Sequence, residues 1–530
     1  MSAGAVVPSV EKMSRPHRPS TSRPPRLPGR RPVRLSRRRL LEAGLAAFAV
    51  TTLASACSGP GNAWKPPVEF DTPLPIPPLA DSRLEDGARV FSLTIQQGTH
   101  EFRPGVRTPT WGFDGSYLGP TLRAAVGEDV RVDVVNDLDV ETTVHWHGMH
   151  LPAEMDGGPH QPIAAGGGTW SPSWQVRQAP ATLWYHPHPH GETEEHVYRG
   201  LAGLFVLDDA ADAEGPALPS TYGVDDVPII VQDKLIDVDG RLVFDDGGNE
   251  IGLLGDLVLT NGVAGATFTV SAARTRLRLL NGSTARTYDI GMSDRRTVQL
   301  VASDGGLLEA PVAVETVRLS PGERAELVVT FEPGETVHLH TFGADLGDVA
   351  APQAFGAEDE ADLVEFRVGA RPRAGVSVPA TLATIERLEE SSAEVRRTFE
   401  LEGRDINGQQ MEMDRVDAIA HLGAVEVWSV HNRNLFPHNF HVHDVQLQVL
   451  AIDGSPPPPE LAGRKDTVYL EPLRTYDLIM RFDDYADPTH PYMFHCHLLL
   501  HEDDGMMGQF VVVEPGDDDL VELEGADHDH

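Results

Sequence analysis

The chain contains an internal repeat, in which Gly, Asn and a His-x-His pair follow one another at intervals of nine residues. The first copy has Gly127, Asn136 and His145-Trp146-His147, and the second has Gly423, Asn432 and His441-Val442-His443. Each copy later carries an aromatic-His-x-His pattern, as Tyr185-His186-Pro187-His188 and as Phe494-His495-Cys496-His497. Such self-similarity indicates two copies of one domain within the chain.

Short alternating runs between Gly, Pro and Asp turns fill the rest of the chain, for example at 130–134, 276–279 and 425–428. Many short strands at regular spacing predict an all-β fold of sandwich or barrel domains. At 530 residues the chain is too long for one ordinary domain. Composition shifts predict an export signal at 1–57, a Pro-rich lead-in at 58–80, domains at 81–210, 223–370 and 380–515, and an acidic tail at 516–530.

The N-terminal stretch is basic, whereas the rest of the chain is acidic. Ser36-Arg37-Arg38-Arg39-Leu40-Leu41 resembles a twin-arginine export signal. The apolar run that follows is too short to span a bilayer but suits a signal-peptide core, and a disordered basic arm is the alternative. Leu53-Ala54-Ser55-Ala56-Cys57 resembles a lipobox, which makes Cys57 a candidate lipid attachment point. We therefore expect an exported, extracytoplasmic protein without a transmembrane segment in its mature chain.

Net charge and cysteine count exclude several classes of protein. The formal net charge is -37, which disfavours nucleic acid and anionic membrane surfaces as partners. Only two cysteines are present, Cys57 and Cys496, so a disulfide framework and a zinc site with two thiolates are excluded. We expect a monomer.

Histidine spacing predicts a metal site. Residues i and i+2 of a β-strand point to the same face, so each His-x-His pair directs two imidazoles at one point. Four such pairs in equivalent positions supply eight imidazoles: His145, His147, His186, His188, His441, His443, His495 and His497. Neutral nitrogen ligands suit zinc, copper, iron or nickel, and exclude magnesium or calcium as the main ion.

Cys496 selects copper from these metals. Its side chain points to the strand face opposite His495 and His497, so one tripeptide contributes to two sites. The second site then comprises His438, Cys496, His501 and Met506. Two imidazoles, a thiolate and a weak axial thioether form the ligand set of a blue-copper electron-transfer site. The alternative, that the cysteine and methionine are core side chains, leaves the flanking histidines unexplained.

The two sites together predict a four-electron reaction. The covalent path from Cys496 through the backbone leads to the eight imidazoles, which are enough for three coppers. Three coppers and the blue copper hold four electrons, the number needed to take O₂ to two waters.

The middle segment lacks the first His pair. Leu277-x-Leu279-x-Asn281 is its related strand, and Ile290 stands nine residues after the asparagine. His338-Leu339-His340 occurs at the later position without a partner pair. We expect this pair to be structural or exposed, and we expect no copper in the middle domain.

At these motifs the chain resembles three-domain multicopper oxidases, the group of laccases, bilirubin oxidases and bacterial copper-efflux oxidases. The resemblance runs from about residue 66 to 515 and is carried by His145-Trp146-His147-Gly148, Trp184-Tyr185-His186-Pro187-His188, His438-Asn439-Phe440-His441-Val442-His443, and His495-Cys496-His497 continuing to Met506. It implies three cupredoxin-like Greek-key domains. The family usually has Pro where Asn439 stands, which changes a loop residue and no ligand.

The resemblance also implies a role for each ligand of four copper ions. The type 1 copper is expected on His438, Cys496, His501 and Met506, and the type 2 copper on His145 and His441. The binuclear type 3 site is expected on His147, His186 and His497 for one ion, and on His188, His443 and His495 for the other. Four further histidines, His150, His160, His190 and His196, match no ligand position and are candidates for a supporting role.

Two acids follow the motifs at family positions, Asp156 and Glu502. In related enzymes such carboxylates relay protons during O₂ reduction, which fits a reaction that consumes four protons in a buried site. The alternative is that both are surface turn residues.

The substrate class stays open between two hypotheses. Trp111-Gly112-Phe113 and Ala302-Ser303-Asp304-Gly305-Gly306 resemble copper-efflux oxidases, but residues 351–400 contain no Met. Asn434 and Phe436 stand where that subgroup has acidic and Met residues. We therefore favour one-electron oxidation of phenols, aromatic amines or pigments by O₂ over oxidation of Cu(I) or Fe(II). A copper-binding protein without enzyme activity is the remote alternative.

Overall fold

The computed structural model describes residues 68–210 and 215–523. The predicted export signal and the candidate lipid attachment point Cys57 lie outside the described residues. Among the described helices, none is long and apolar enough to cross a membrane.

Residues 82–208, called domain 1 below, form two small sheets. Alternating burial along β6 places Val130, Val132 and Val134 in the core. One sheet has the order β2-β3-β6-β7, with β4 on β3 and β8 on β6, and the other has the order β5-β10-β9. β1 (Thr72–Pro73) precedes this domain, whose strands are β2 (Ser82–Glu85), β3 (Ala88–Arg103), β4 (Val106–Phe113), β5 (Leu122–Ala125), β6 (Asp129–Asn136), β7 (Gly168–Trp170), β8 (Ser173–Gln175), β9 (Thr182–Tyr185) and β10 (Gly203–Asp208).

Residues 226–373, called domain 2, form two six-stranded sheets with the orders β1-β13-β21-β20-β15-β18 and β12-β11-β14-β19-β16-β17. The Pro-rich lead-in contributes β1, which pairs with β13 in parallel. The strands are β11 (Asp226–Lys234), β12 (Leu257–Thr260), β13 (Ala266–Ala272), β14 (Arg274–Asn281), β15 (Tyr288–Met292), β16 (Val298–Ser303), β17 (Gly306–Val314), β18 (Thr316–Leu319), β19 (Arg324–Thr330), β20 (Thr336–Phe342) and β21 (Ala361–Arg373).

Residues 395–513, called domain 3, form two five-stranded sheets with the orders β23-β22-β25-β29-β27 and β24-β31-β30-β26-β28. The strands are β22 (Val395–Glu402), β23 (Asp405–Ile406), β24 (Ala418–His421), β25 (Val425–Asn432), β26 (His438–Val442), β27 (Gln448–Ile452), β28 (Thr467–Leu470), β29 (Thr475–Arg481), β30 (Asp487–His495) and β31 (Met507–Val513). Asn439 lies within β26, so its expected place in a loop is wrong.

The sheets repeat one pairing in all three domains. A strand that ends in a buried asparagine pairs in parallel with an earlier strand, as β3 with β6, β11 with β14, and β22 with β25. The asparagines are Asn136, Asn281 and Asn432. Each domain also has its own apolar core between its sheets. Paired sheets with separate cores confirm the predicted all-β fold.

Helices are short and few in the described residues. α1 (Thr193–Arg199) belongs to domain 1 and α2 (Leu499–Asp503) to domain 3. The carboxylate of Asp503 accepts hydrogen bonds from the backbone N–H groups of Thr193 at 2.7 Å and Glu194 at 2.9 Å, which caps α1. This cap joins domain 1 to domain 3. Single 3₁₀ turns occur at Ala153–Met155, Pro352–Phe355, Glu390–Ser392, Pro459–Leu461 and Asp518–Leu520.

Candidate metal centre

Imidazoles from the four His-x-His pairs come together where domain 1 meets domain 3. His145 bridges to His186, and His441 of β26 pairs with His495 of β30. The rings of His145 and His443 stack across the interface, with centroids 3.9 Å apart. We call this buried group the histidine cage; it comprises His145, His147, His186, His188, His441, His443, His495 and His497.

Backbone carbonyls fix the tautomers of several cage histidines. The Nδ1–H group donates to Asp156 O in His145 (3.0 Å), to Pro187 O in His186 (2.8 Å), to Asp466 O in His441 (2.9 Å) and to Cys496 O in His495 (3.1 Å). A proton held on Nδ1 leaves the Nε2 lone pair free for a metal ion.

Several ring nitrogens of the cage form no hydrogen bond within the protein. These buried atoms are Nε2 of His145 and His441, Nδ1 of His188, and both ring nitrogens of His497. Leaving buried polar atoms unsatisfied costs about 1–3 kcal/mol each, so such a cluster needs a function. Burial also lowers the pKa of His188 and of His497 to about 3, which keeps these imidazoles neutral at pH 7. Neutral imidazoles with free lone pairs fit a metal ion.

Donor atoms within the cage form several sets of three. The donor atoms of His188, His443 and His495 lie within 4.8 Å of one another. His147 and His186 form such a set with His145, and the ring of His497 lies 4.9 Å from that of His147 between centroids. The allocation of individual histidines to individual ions stays a prediction.

A second donor set, which we call the Cys496 centre, lies inside domain 3. Sγ of Cys496 lies 3.4 Å from Nδ1 of His438 and 3.5 Å from Nδ1 of His501. The two Nδ1 atoms are 3.1 Å apart. Met506, the fourth predicted member, is buried and its backbone carbonyl accepts the Cys496 N–H. The Nε2 atom of His438 is hydrogen-bonded to Nδ2 of Asn434, and the Nε2 atom of His501 is hydrogen-bonded to the backbone carbonyl of Glu250.

The Cys496 centre is suited to a metal and poorly suited to a free thiol. Burial raises the pKa of the Cys496 thiol to about 12, so a bound cation is needed to form the thiolate at neutral pH. Burial lowers the pKa of His501 to about 4, which leaves its Nδ1 free to bind. A thiolate with two neutral imidazoles is the donor set that copper prefers.

Both predicted acids are buried beside the cage. Asp156 Oδ2 accepts a hydrogen bond from His443 Nδ1 at 2.7 Å. The carboxylate of Glu502 lies 3.2 Å from His495 Nδ1 and 3.4 Å from His188 Nδ1. Burial raises the pKa of Glu502, but the adjacent imidazoles outweigh burial and hold that pKa well below its ordinary value. With accessibilities of 1% and 0%, neither acid is the surface turn residue of the alternative interpretation.

A third carboxylate at the cage was missed by sequence reasoning. Asp466 Oδ1 lies 3.1 Å from Nε2 of His147. Arg324 of domain 2 holds this carboxylate through both terminal nitrogens, at 2.7 and 2.5 Å. The same guanidinium donates to Thr182 O of domain 1, so it contacts all three domains. No local motif marks either residue, because they are 142 positions apart.

The four supporting histidines lie apart from the metal-ligand sets found in the described residues. His150 bridges Asp444 and Asp484, at 2.8 and 2.9 Å. His160 bonds Gln509, His196 bonds Thr142, and His190 is exposed. The pair at His338 and His340 forms ion pairs with Glu365 and Asp362 on the surface of domain 2.

Comparisons with known proteins agree with this arrangement. Two family models described as multicopper oxidase match residues 94–212 and 377–516. A multicopper oxidase, mco, from Staphylococcus haemolyticus is 34% identical over 82% of this chain and 92% of its own length. The cell division protein FtsP of Sodalis glossinidius is 37% identical over 88% of this chain and 97% of its own length.

A solved structure shows the same architecture. It is a laccase-like multicopper oxidase, CueO, from the lignin-degrading bacterium Ochrobactrum sp., with oxidase activity towards lignin model compounds. Its sequence is 37% identical, and the match covers 83% of this chain and 100% of that chain with a TM-score of 0.76. The three paired-sheet domains are therefore cupredoxin-like. With its fold, its paired histidines and these relatives, the chain belongs to the multicopper oxidase family.

Proposed function

We propose that this protein is a four-copper, laccase-like oxidase that takes single electrons from a small reducing organic substrate and reduces O₂ to water. One observation carries the proposal: Cys496 joins two buried groups, because its thiol belongs to the Cys496 centre and its neighbours His495 and His497 lie in the histidine cage. Copper supplies one-electron redox chemistry when bound, and four ions match the four electrons that O₂ requires.

The residues have the following roles in this proposal. His438, Cys496, His501 and Met506 hold the type 1 ion, and His145 and His441 hold the type 2 ion. The type 3 ions are held by His147, His186 and His497, and by His188, His443 and His495. The short covalent path from Cys496 to its flanking histidines provides the electronic connection between the two centres.

Protons reach the cage through its own carboxylates in this proposal. Asp156 contacts His443, and Glu502 contacts His188 and His495, so both acids lie directly against cage imidazoles. Both carboxylates can accept a proton and pass it on beside the imidazoles, in a site that excludes bulk water. Four protons must enter for each O₂ reduced, and buried carboxylates at fixed positions are suited to that supply.

The protein surface beside the Cys496 centre favours an organic reductant. Leu435 is 53% exposed, and the half-buried Phe436 packs 5.1 Å from the ring of His438 between centroids. A small aromatic donor can lie on this apolar surface, which ends two residues before the ligand His438. The Ochrobactrum relative, which oxidises lignin model compounds, supports the same class of substrate. We further propose that the protein is exported and acts as a monomer.

Oxygen uptake by the copper-loaded full-length chain tests the proposal. We expect an intense blue absorption band and O₂ uptake with phenols, and we expect Cys496→Ser to lose both. Cys57→Ser, the only other cysteine variant the chain offers, is the matched control and should keep both. Phenol oxidation that persists in Cys496→Ser would overturn the proposal. Faster turnover with Cu(I) or Fe(II) indicates a metallo-oxidase, and bound copper without O₂ uptake indicates a non-enzymatic protein.

A further inference from the structure

Asn439 occupies a position that connects the two donor sets. It lies on β26 directly after His438 of the Cys496 centre and two residues before His441 of the cage. Its side chain is fully buried. The related family usually has Pro at this place, which has no side-chain amide. The structure therefore gives this chain a polar group between two metal centres that the usual residue cannot supply.

Both ends of the Asn439 amide have defined partners. Oδ1 accepts a hydrogen bond from the backbone N–H of His497 at 2.6 Å, and Nδ2 donates to the carbonyl of Pro321 at 2.9 Å. The first partner can only donate and the second can only accept, so the orientation of the amide is fixed. Oδ1 consequently faces Sγ of Cys496, at 3.5 Å.

Pro321 belongs to a loop of domain 2 that packs against the cage. Its neighbour Gly322 has a φ of +85°, and a Cβ placed there would lie 3.2 Å from the ring of His147 and 3.3 Å from that of His497. The loop thus lies against two cage rings, and Arg324 at its end binds Asp466. Asn439 connects this loop to the backbone of the Cys496–His497 segment.

We propose that Asn439 is a positioning residue that holds the His497 backbone against domain 2 and lowers the reduction potential of a copper ion at the Cys496 centre. The second part rests on the proposed function. The negative end of the amide dipole faces the sulfur, so it stabilises the more positive, oxidised state of the centre. Removing Oδ1 should raise the potential, and placing a negative charge there should lower it.

The first measurement needs no copper. Hydrogen exchange of the His497 amide in the copper-free full-length chain should be faster in Asn439→Ala by about tenfold, the factor expected for one lost hydrogen bond. Asn439→Asp keeps an acceptor oxygen and should keep the protection of that amide, while it loses the donor to Pro321. Unchanged exchange in Asn439→Ala would overturn the positioning role, whatever the catalytic activity of the protein.

The second measurement is a redox titration of the blue band in the copper-loaded chain. We expect the midpoint potential to rise in Asn439→Ala and to fall in Asn439→Asp. Shifts in the same direction, or none, would overturn the electrostatic role. Asn261→Ala is the matched control, since it removes a buried asparagine of domain 2 whose amide bonds Pro75, Pro228 and Ile230 and neither donor set, and it should change neither readout. Absence of a blue band in the wild type contradicts the proposed function alone, because the exchange measurement still tests the positioning role.

Discussion

Domains 2 and 3 share one pattern of hydrogen bonds made by a buried asparagine side chain, but the residues that follow this asparagine differ. In domain 3, Asn432 accepts a hydrogen bond from the Asn434 N–H and donates to the carbonyls of Phe436 and Leu470. In domain 2, Asn281 accepts from the Ser283 N–H and donates to the carbonyls of Arg286 and Leu319. Each asparagine ends an equivalent strand and closes the loop that follows. The repeated fold therefore includes its buried polar contacts.

The side chains on the strand after the shared asparagine differ between the two domains. In domain 3 the next strand, β26, carries His438 and His441, whereas β15 of domain 2 places Tyr288 and Ile290 in an apolar core. Domain 2 instead contributes the guanidinium of Arg324 to the outside of the cage. Domain 2 thus repeats the fold without this pair of histidines and supports the cage through a contact that only the assembled chain creates.

The largest difference between the domains should be their stability in acid, which should fall in domains 1 and 3 before it falls in domain 2. In the copper-free protein, burial lowers the pKa of eight ligand histidines in domains 1 and 3: His147, His186, His188, His438, His441, His443, His497 and His501. The unfolded chain binds protons at these residues below about pH 6.5, whereas the folded chain does not. Stability is therefore lost as the pH falls from about 6.5, and each residue can contribute about 1.4 kcal/mol per pH unit.

Hydrogen exchange as a function of pH measures this effect domain by domain. Peptides from domains 1 and 3 of the copper-free protein should lose protection between pH 6.5 and 4, before the peptides of domain 2. Copper-loaded protein is the control and should keep its protection further into acid, since bound metal competes with protons. Simultaneous loss of protection in all three domains would contradict the assignment of acid sensitivity to the buried ligands.

Replacement of Arg324 should have the next largest effect. Arg324→Met leaves the buried carboxylate of Asp466 without its cation. Such a change lowers the free energy of unfolding by about 3–5 kcal/mol in a protein interior. Because Asp466 contacts His147, we also expect lower copper occupancy of the cage. Denaturant unfolding and copper content per chain measure the two consequences.

Arg371→Met provides the matched control, because Arg371 is an exposed arginine of the same domain. This variant should change stability by less than about 0.5 kcal/mol and should keep its copper. If Arg324→Met behaves in the same way, the supporting role of domain 2 is wrong.

Local patterns account for what could be predicted from the sequence. The two-residue spacing of the histidines predicted which eight imidazoles to group, and all eight are buried in the cage. Strand geometry explains only part of this, because the second histidine of each pair and Cys496 lie beyond the strand ends. The bonds of Asp466 to Arg324, and of Asn439 to Pro321, join residues more than one hundred positions apart. Packing between domains creates such contacts, and no periodicity within one segment records them.

The two equivalent asparagines offer a smaller and more specific test. Asn281→Ala and Asn432→Ala each remove buried hydrogen bonds, so both should lower the free energy of unfolding by about 1–3 kcal/mol. Asn432→Ala should alter the blue band more strongly, because its loop leads directly to His438, whereas Asn281 acts on the Cys496 centre only through the loop of Pro321. Unfolding and absorption spectra of the copper-loaded variants measure both effects. An equal or larger spectral change in Asn281→Ala would show that the hydrogen bonds of these asparagines do not act locally.

The smallest effect is expected at the His pair of domain 2. His338 and His340 lie on β20 and form partly exposed ion pairs with Glu365 and Asp362, contacts that are worth at most about 1 kcal/mol each. The double variant His338→Ala/His340→Ala should therefore keep its full copper content and blue band. The matched double variant His441→Ala/His443→Ala in domain 3 should lose copper from the cage. Copper lost equally from both variants would mean that domain 2 binds metal after all, and that its separation from domain 3 in function is wrong.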